Sequence, residues 1–218
     1  MSTASLPRGK LLSFEGLDGA GKTTQMELLA GWLDRQQIAY IRTREPGGTP
    51  LGRELRSLLF ERADLEIDPL AEAFLFQADR AQHFSTLVLP ALQAGTLVIT
   101  DRCFDASIAY QGFARDVGPE LVARLSLIAT RGYIPDLTIL LDLAPSEVER
   151  RVNPANDASG LRAAPSRFDS AQEVFHLRVQ QGFRQLAHVQ PARIKVVDAS
   201  RPAAVIHREI VDLLAPLL

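Results

Sequence analysis

The stretch FEGLDGAGKTTQ, Phe14 to Gln25, joins an apolar run to a helical pattern through three glycines, a lysine and two threonines. Within it, Gly16-Leu17-Asp18-Gly19-Ala20-Gly21-Lys22-Thr23 fits the pattern G-x-x-x-x-G-K-[ST]. Glycines let a backbone curl until successive N–H groups face one anion, and the helix that follows adds the positive end of its dipole. In such a loop Lys22 reaches the outer phosphates of a nucleotide and the Thr23 hydroxyl can ligate Mg²⁺. The stretch therefore predicts a polyphosphate cradle between a first strand, Lys10 to Phe14, and a helix from Lys22 to Arg35, where Met26, Leu28, Leu29, Trp32 and Leu33 recur at helical spacing.

Downstream the chain alternates. Ile38 to Glu45 reads as a strand, and PGGTP breaks it. Leu51 to Phe60 and Pro69 to Ala94 read as helices. Thr96 to Asp101 is a buried strand ending in charge, and two helical segments follow it. Asp136 to Leu143 and Arg193 to Val197 are further strands, and Pro202 to Leu217 is a closing helix. Strands apolar along their whole length suit a parallel sheet covered on both faces. The expected fold is a doubly wound α/β sheet of five parallel strands, with ligands gathered at the carboxyl ends. Charge does collect there: Glu15 with Asp18, Arg44 with Glu45, Asp101 with Arg102, and Asp142. Residues 1–9 are expected to be a flexible segment lacking the apolar core of a signal peptide. Residues 152–169, rich in Pro, Gly, Ala and Ser, are expected to be a lid inserted into a single domain.

The composition narrows the chemistry. With 24 basic and 26 acidic residues, no basic run and no apolar run of membrane length, nothing suggests a nucleic-acid or membrane surface. One cysteine, Cys103, rules out an internal disulfide and a zinc site built on cysteines. A phosphate cradle could serve a switch GTPase, a motor or a small-molecule kinase. The base-reading N-K-x-D segment of switch GTPases is absent, and motors usually need a longer chain.

Read together with TREPGGT (Thr43 to Thr49), DRCFDASIAYQG (Asp101 to Gly112) and PDLTILLDL (Pro135 to Leu143), the chain resembles the bacterial thymidylate kinases from about Lys10 to Pro202. The resemblance implies phosphoryl transfer from ATP-Mg²⁺ to dTMP, giving dTDP and ADP, by a cytoplasmic homodimer. It implies ATP contacts from Gly16, Leu17, Asp18, Gly19, Ala20, Gly21, Lys22, Thr23 and Thr24, with Ser200 on the adenine side, and a metal held by Thr23 beside Asp101. On the acceptor side, Arg102 and Arg44 hold the dTMP phosphate, with Glu45 and Pro46 shaping the pocket. Asp18 accepts from the 3′-hydroxyl, and Tyr110 crowds the sugar 2′ position. Phe76 stacks on thymine, Arg80 bonds its O4, Ser107 faces N3, and Gln111 lies nearby to help hold the base.

Phe76 and Arg80 stand one helical turn apart, so a flat ring and an edge donor share a face. Where some relatives carry an arginine in the phosphate loop, this chain has Gly19, so charge for catalysis is expected from Lys22, Arg102 and the lid: Arg151, Arg162 and Arg167. Ala106, Ser166 and Cys103 depart from the family pattern. Two other readings remain open: a kinase for a different nucleoside or nucleoside monophosphate, and a nucleotide-binding regulatory module without catalysis.

Overall fold

The computed structural model describes residues 9–152 and 173–218. Five strands form one all-parallel sheet in the order β2-β3-β1-β4-β5: β1 Leu11–Glu15, β2 Tyr40–Arg44, β3 Leu97–Asp101, β4 Leu137–Asp142 and β5 Ile194–Asp198. The helices are α1 Lys22–Arg35, α2 Pro50–Phe60, α3 Pro69–His83, α4 Leu89–Gln93, α5 Phe104–Ser107, α6 Pro119–Ala129, α7 Pro145–Val152, α8 Glu173–Val189 and α9 Ala203–Leu214. The expected sheet is thus present, with strand ends displaced by one or two residues.

The pleat sends alternate side chains to opposite faces. From β1, Leu12 and Phe14 enter the larger core with Leu29, Leu33, Val179 and Ile210, while Leu11 enters a second core with Phe84, Leu92, Val98 and Cys103. β3 divides the same way, Leu97 and Ile99 to one face and Val98 to the other. Both faces are therefore covered, and β1 lies in the middle, where its carboxyl end is flanked by β3 and β4.

The long helix expected over Pro69 to Ala94 is not uniform. It widens into a π turn at Phe84–Val88, where the Leu89 N–H bonds the Phe84 carbonyl. Pro90 accounts for this, because it has no N–H and its ring crowds the carbonyl one turn back. A second π turn, Ile108–Ala114, continues α5 and carries Tyr110 and Gln111. Residues 1–8 of the expected flexible start and most of the lid, including Arg162, Ser166 and Arg167, lie outside the described residues, whereas Gly9 is buried and its N–H donates to the Leu92 carbonyl (2.8 Å).

Candidate active site

The loop between β1 and α1 holds three left-handed glycines, Gly16 at φ 131°, Gly19 at 82° and Gly21 at 100°. Gly16 is also pinned by space, since a Cβ there would meet the Leu141 carbonyl oxygen at 2.4 Å. Leu17 and Ala20 are buried beneath the loop. Thr23 and Thr24 are exposed in the first turn of α1. Lys22 is buried and folds over the loop, its Nζ donating to the carbonyls of Leu17 (3.0 Å) and Gly16 (3.3 Å) and lying 3.6 Å from Asp18. Burial and the neighbouring Arg102 charge lower its pKa.

Arg102 ends β3 in a left-handed conformation, φ 70°, that costs energy for a residue with a Cβ. Its N–H donates to the Phe14 carbonyl (2.9 Å), and its own carbonyl accepts from Thr100 Oγ1 (2.8 Å). The next N–H, of Cys103, donates to Glu15 Oε1 at 2.8 Å. So held, the guanidinium Nη2 donates to Asp18 Oδ1 at 2.7 Å and to the Tyr110 hydroxyl at 3.3 Å, and stands over the Tyr110 ring. Although the Asp18 side chain is half exposed, local desolvation would raise its pKa, and Arg102 and Lys22 instead hold the carboxyl well below the usual range. Beside this pair, Asp101 Oδ1 and Arg102 Nη1 are buried without a partner among the described residues. That is an acidic oxygen and a cationic donor left to be satisfied by something else.

The loop after β2 brings the next wall. A cis peptide joins Glu45 to Pro46, and Gly48 packs so closely that a Cβ would lie 2.7 Å from Thr43 Oγ1 and 2.8 Å from the Arg44 carbonyl. Glu45 is buried and accepts from Arg80 Nε at 2.8 Å. Its Oε1 lies 2.9 Å from His83 Nδ1, whose other ring nitrogen is 2.6 Å from Thr43 Oγ1. Burial alone would raise the Glu45 pKa, and Arg80 and His83 together bring it below its ordinary value.

Arg80, expected at the pocket edge, is 1% exposed. Its Nη1 donates to Gln77 Oε1 (2.7 Å) and Ser126 Oγ (3.4 Å), and its Nη2 to Ser107 Oγ (3.0 Å). With one bond from Nε, two from Nη1 and one from Nη2, a guanidinium of five N–H groups has a single donor left, on Nη2. Phe76 sits edge to face against Phe60 of α2, 6.4 Å between centroids. Gln111 donates from Nε2 to Glu72 Oε1 at 2.9 Å. Tyr110 is wedged between Phe175 and Phe183 of α8. Ala106 and Cys103, which depart from the family pattern, are buried, one in each core.

Two expected residues lie to the sides. Arg44 is exposed at the end of β2. Arg151 on α7 donates to the Ala199 carbonyl (2.8 Å), next to Ser200, whose hydroxyl donates to Asp198. Arg56 is a residue the sequence reading missed. It sits half-buried on α2, donates to the Pro46 carbonyl (3.3 Å) and caps Phe60 at 4.9 Å. Burial and the charges of Arg44 and Arg102 lower its pKa, whereas Asp18 and Asp101 raise it. Arg56 belongs to no motif; only the fold reveals it.

A glycine cradle at the carboxyl end of the central strand, bonded through Asp18 to an arginine that follows the neighbouring strand, is the arrangement of a P-loop phosphotransferase. The thymidylate kinase family model matches residues 14–210. A thymidylate kinase of Nitratidesulfovibrio vulgaris (strain DP4) is 41% identical over 207 residues, 95% of this chain and 92% of its own. One from Bifidobacterium longum (strain NCC 2705) is 45% identical over 196 residues, covering 88% of this chain and 91% of its own. The crystal structure of a thymidylate kinase from Ehrlichia chaffeensis superposes with a TM-score of 0.75 at 31% identity, covering 96% of this chain and all of that one. The chain belongs to the thymidylate kinase family.

Proposed function

We propose that the protein transfers the γ-phosphoryl group of ATP to dTMP. The observation that carries this reading is the Asp18–Arg102 contact at 2.7 Å, which ties the ATP loop directly to the arginine facing the acceptor. A phosphate oxygen of dTMP attacks the γ-phosphorus. The new P–O bond forms as the β,γ-bridging bond breaks, and ADP leaves with the electron pair. The acceptor is already an anion at neutral pH, so no general base is required. The work is positioning and neutralising charge.

The loop amides from Gly16 to Thr24 and Lys22 hold the ATP phosphates, with Lys22 exchanging its carbonyl partners for phosphate oxygens. Ser200 and Arg151 flank the adenine side. Arg102, Arg44 and Arg56 surround the acceptor phosphate. Asp18 has a second role, accepting the 3′-hydroxyl, and Tyr110 bars a 2′-hydroxyl. Phe76 gives a face to the base, the last Nη2 donor of Arg80 meets O4, and Ser107 and Gln111 cover N3.

The site fits magnesium. Thr23 offers an exposed hydroxyl, and Asp101 a buried carboxylate oxygen without a partner among the described residues. Among the described residues no three His, Cys, Asp or Glu side chains gather, which suits an ion carried mainly by phosphates and water. When bound, Mg²⁺ supplies positive charge to the phosphates of ATP.

Large apolar side chains exposed on the adjacent helices α3 and α6, Leu70, Phe74, Leu127 and Ile128, support a homodimer formed through these helices. Light scattering of the wild type and of Phe74→Glu tests this: a dimer that dissociates on substitution is expected, and a wild-type monomer would refute it. No described helix is long and apolar enough to cross a membrane.

The activity is tested by coupled ADP release with dTMP, dUMP, dCMP, AMP and thymidine as acceptors. Preference for dTMP is expected. Turnover of AMP alone would overturn the reading, and tight ATP binding without turnover of any acceptor would leave only a regulatory module.

A further inference from the structure

We infer that Glu72 is a specificity-determining positioning residue. It fixes which end of the Gln111 amide faces the acceptor base, and thereby selects bases that carry a hydrogen on N3. The inference rests on the reading of Arg80 and Gln111 as groups that face the base.

Glu72, Phe76 and Arg80 follow one another at intervals of four along α3, so they share one face. Ser107 and Gln111 have the same spacing on the segment opposite. The two segments meet as a ladder, with Arg80 to Ser107 as one rung (3.0 Å) and Gln111 to Glu72 as the other (2.9 Å). Phe76 lies between the rungs on the α3 side. The two rungs thus stand two turns apart on α3 and one turn apart on the facing segment, with the ring assigned to stack on the base midway between them on α3.

A glutamine amide has nearly equal shape in its two orientations, and its last torsion is broad and two-fold. Its neighbours decide which end points where. A carboxylate only accepts hydrogen bonds. Facing Glu72, the amide must turn its NH₂ inward, because the opposite orientation would set two acceptor oxygens against each other. Both side chains are 1% exposed, so water cannot relieve that clash. Arg115 Nε, 3.5 Å from the same Glu72 oxygen, helps hold the carboxylate in place. The end that Gln111 can offer a ligand is therefore its carbonyl.

The pocket edge then reads as a donor, from Arg80, followed by an acceptor, from Gln111. Thymine and uracil present the complement, an O4 acceptor and an N3–H donor. Cytosine presents the reverse, an N4 amino donor and a bare N3 acceptor. Stacking on Phe76 cannot tell these bases apart, whereas the polarity set by Glu72 can.

The test compares kcat/KM for dTMP and for 5-methyl-dCMP, which differs from dTMP only at these two edge positions. It uses wild type, Gln111→Ala, Glu72→Gln and the swap Glu72→Gln/Gln111→Glu, with ATP KM and thermal melting followed throughout. E72Q keeps the shape and lets the amide turn, so the dTMP to 5-methyl-dCMP ratio should fall about tenfold. The swap again presents an acceptor to the base and should restore the ratio. A purely structural role for Glu72 would depress both substrates together and leave the ratio unchanged, and that result would overturn the inference, as would a swap no more selective than E72Q. If E72Q does not fold, the swap decides alone: wild-type selectivity supports the inference and lost selectivity refutes it. Unchanged dTMP kcat/KM in Q111A would instead refute the base-facing reading on which it stands.

Discussion

Replacing Glu45 by Gln removes one negative charge from the acceptor pocket and leaves its shape intact. Glu45 is the only carboxylate bonded to Arg80 among the described residues, at 2.8 Å, and both side chains are almost fully buried, at 2% and 1% exposure. The other partners of Arg80, namely Gln77, Ser107 and Ser126, are neutral. Removing one member of a buried ion pair strands the other and costs about 3–5 kcal/mol. At about 2–4 °C per kcal/mol for a chain of this size, E45Q should melt about 6–20 °C below wild type. Removing both charges, in Glu45→Gln/Arg80→Met, should recover much of that loss, because no unpaired charge is then left buried. The pH dependence has a definite sign. Arg80 and His83 hold the folded Glu45 pKa below its ordinary value of 4.5, against the effect of burial. The stabilisation is therefore complete above that value and is lost as pH falls through the lower, folded one, so the gap between wild type and E45Q should close in acid. Thermal melts by circular dichroism across the acid range, with dTMP KM measured alongside, check this. An E45Q variant that melts with wild type at neutral pH, or a double variant no more stable than E45Q, would refute the reasoning.

Three further outcomes are expected. Gly16→Ala places a side chain at φ 131° and 2.4 Å from the Leu141 carbonyl, so ATP affinity by titration calorimetry, or the melting temperature, should drop by an amount equivalent to at least about 1–3 kcal/mol. Arg102→Ala should lower kcat by roughly 10²–10³-fold, whereas Arg56→Ala should act mainly on the dTMP KM; a rise in KM alone for R102A would remove Arg102 from the charge-neutralising role. Burial and the Asp105 charge push the Glu15 pKa up from 4.5 to about 8. Here the folded state binds the proton more tightly, so stability should fall as pH rises from 4.5 through about 8, with a slope of at most about 1.4 kcal/mol per unit. Glu15→Gln should flatten that slope in denaturant titrations, and an unchanged slope would count against a titrating Glu15.

The phosphate loop was legible in the sequence because its chemistry is local: three glycines with positive φ and a lysine within one turn need no distant partner to be recognised. The sheet was legible for a similar reason, since its three central strands are short, mostly apolar and buried runs bounded by breakers. The acceptor side could be read only by resemblance, and its roles stand as proposed. Phe76 and Arg80 could be placed on one face by spacing, yet nothing local shows that Arg80 is sunk against Glu45 and Ser107, residues 35 and 27 positions away. Arg56 was missed because its role comes from α2 packing across the Glu45-Pro46 turn. The π turns were missed because a helical apolar pattern tolerates one widened turn. The second of them sets Tyr110 against α8 and Gln111 against α3, which regular α spacing could not foretell.

Why the donor and acceptor sites keep their separation can be traced to one strand. β1 ends in Phe14 and Glu15, and the next residue is the first glycine of the ATP loop. The Phe14 carbonyl takes the Arg102 N–H, and the Glu15 carboxylate takes the N–H of Cys103 and the hydroxyl of Ser13. Arg102 is left-handed at φ 70° and would relax if either bond were lost. The same two residues that launch the phosphate loop therefore hold Arg102, proposed to face the acceptor, in its strained pose. An in-line transfer between two anions tolerates little error in their distance. A β-strand backbone, fixed on both sides by β3 and β4, is the stiffest element available to set it. A small side chain at Cys103 fits this arrangement, since its N–H, not its sulfur, is the working group, and the sulfur only fills the core beneath.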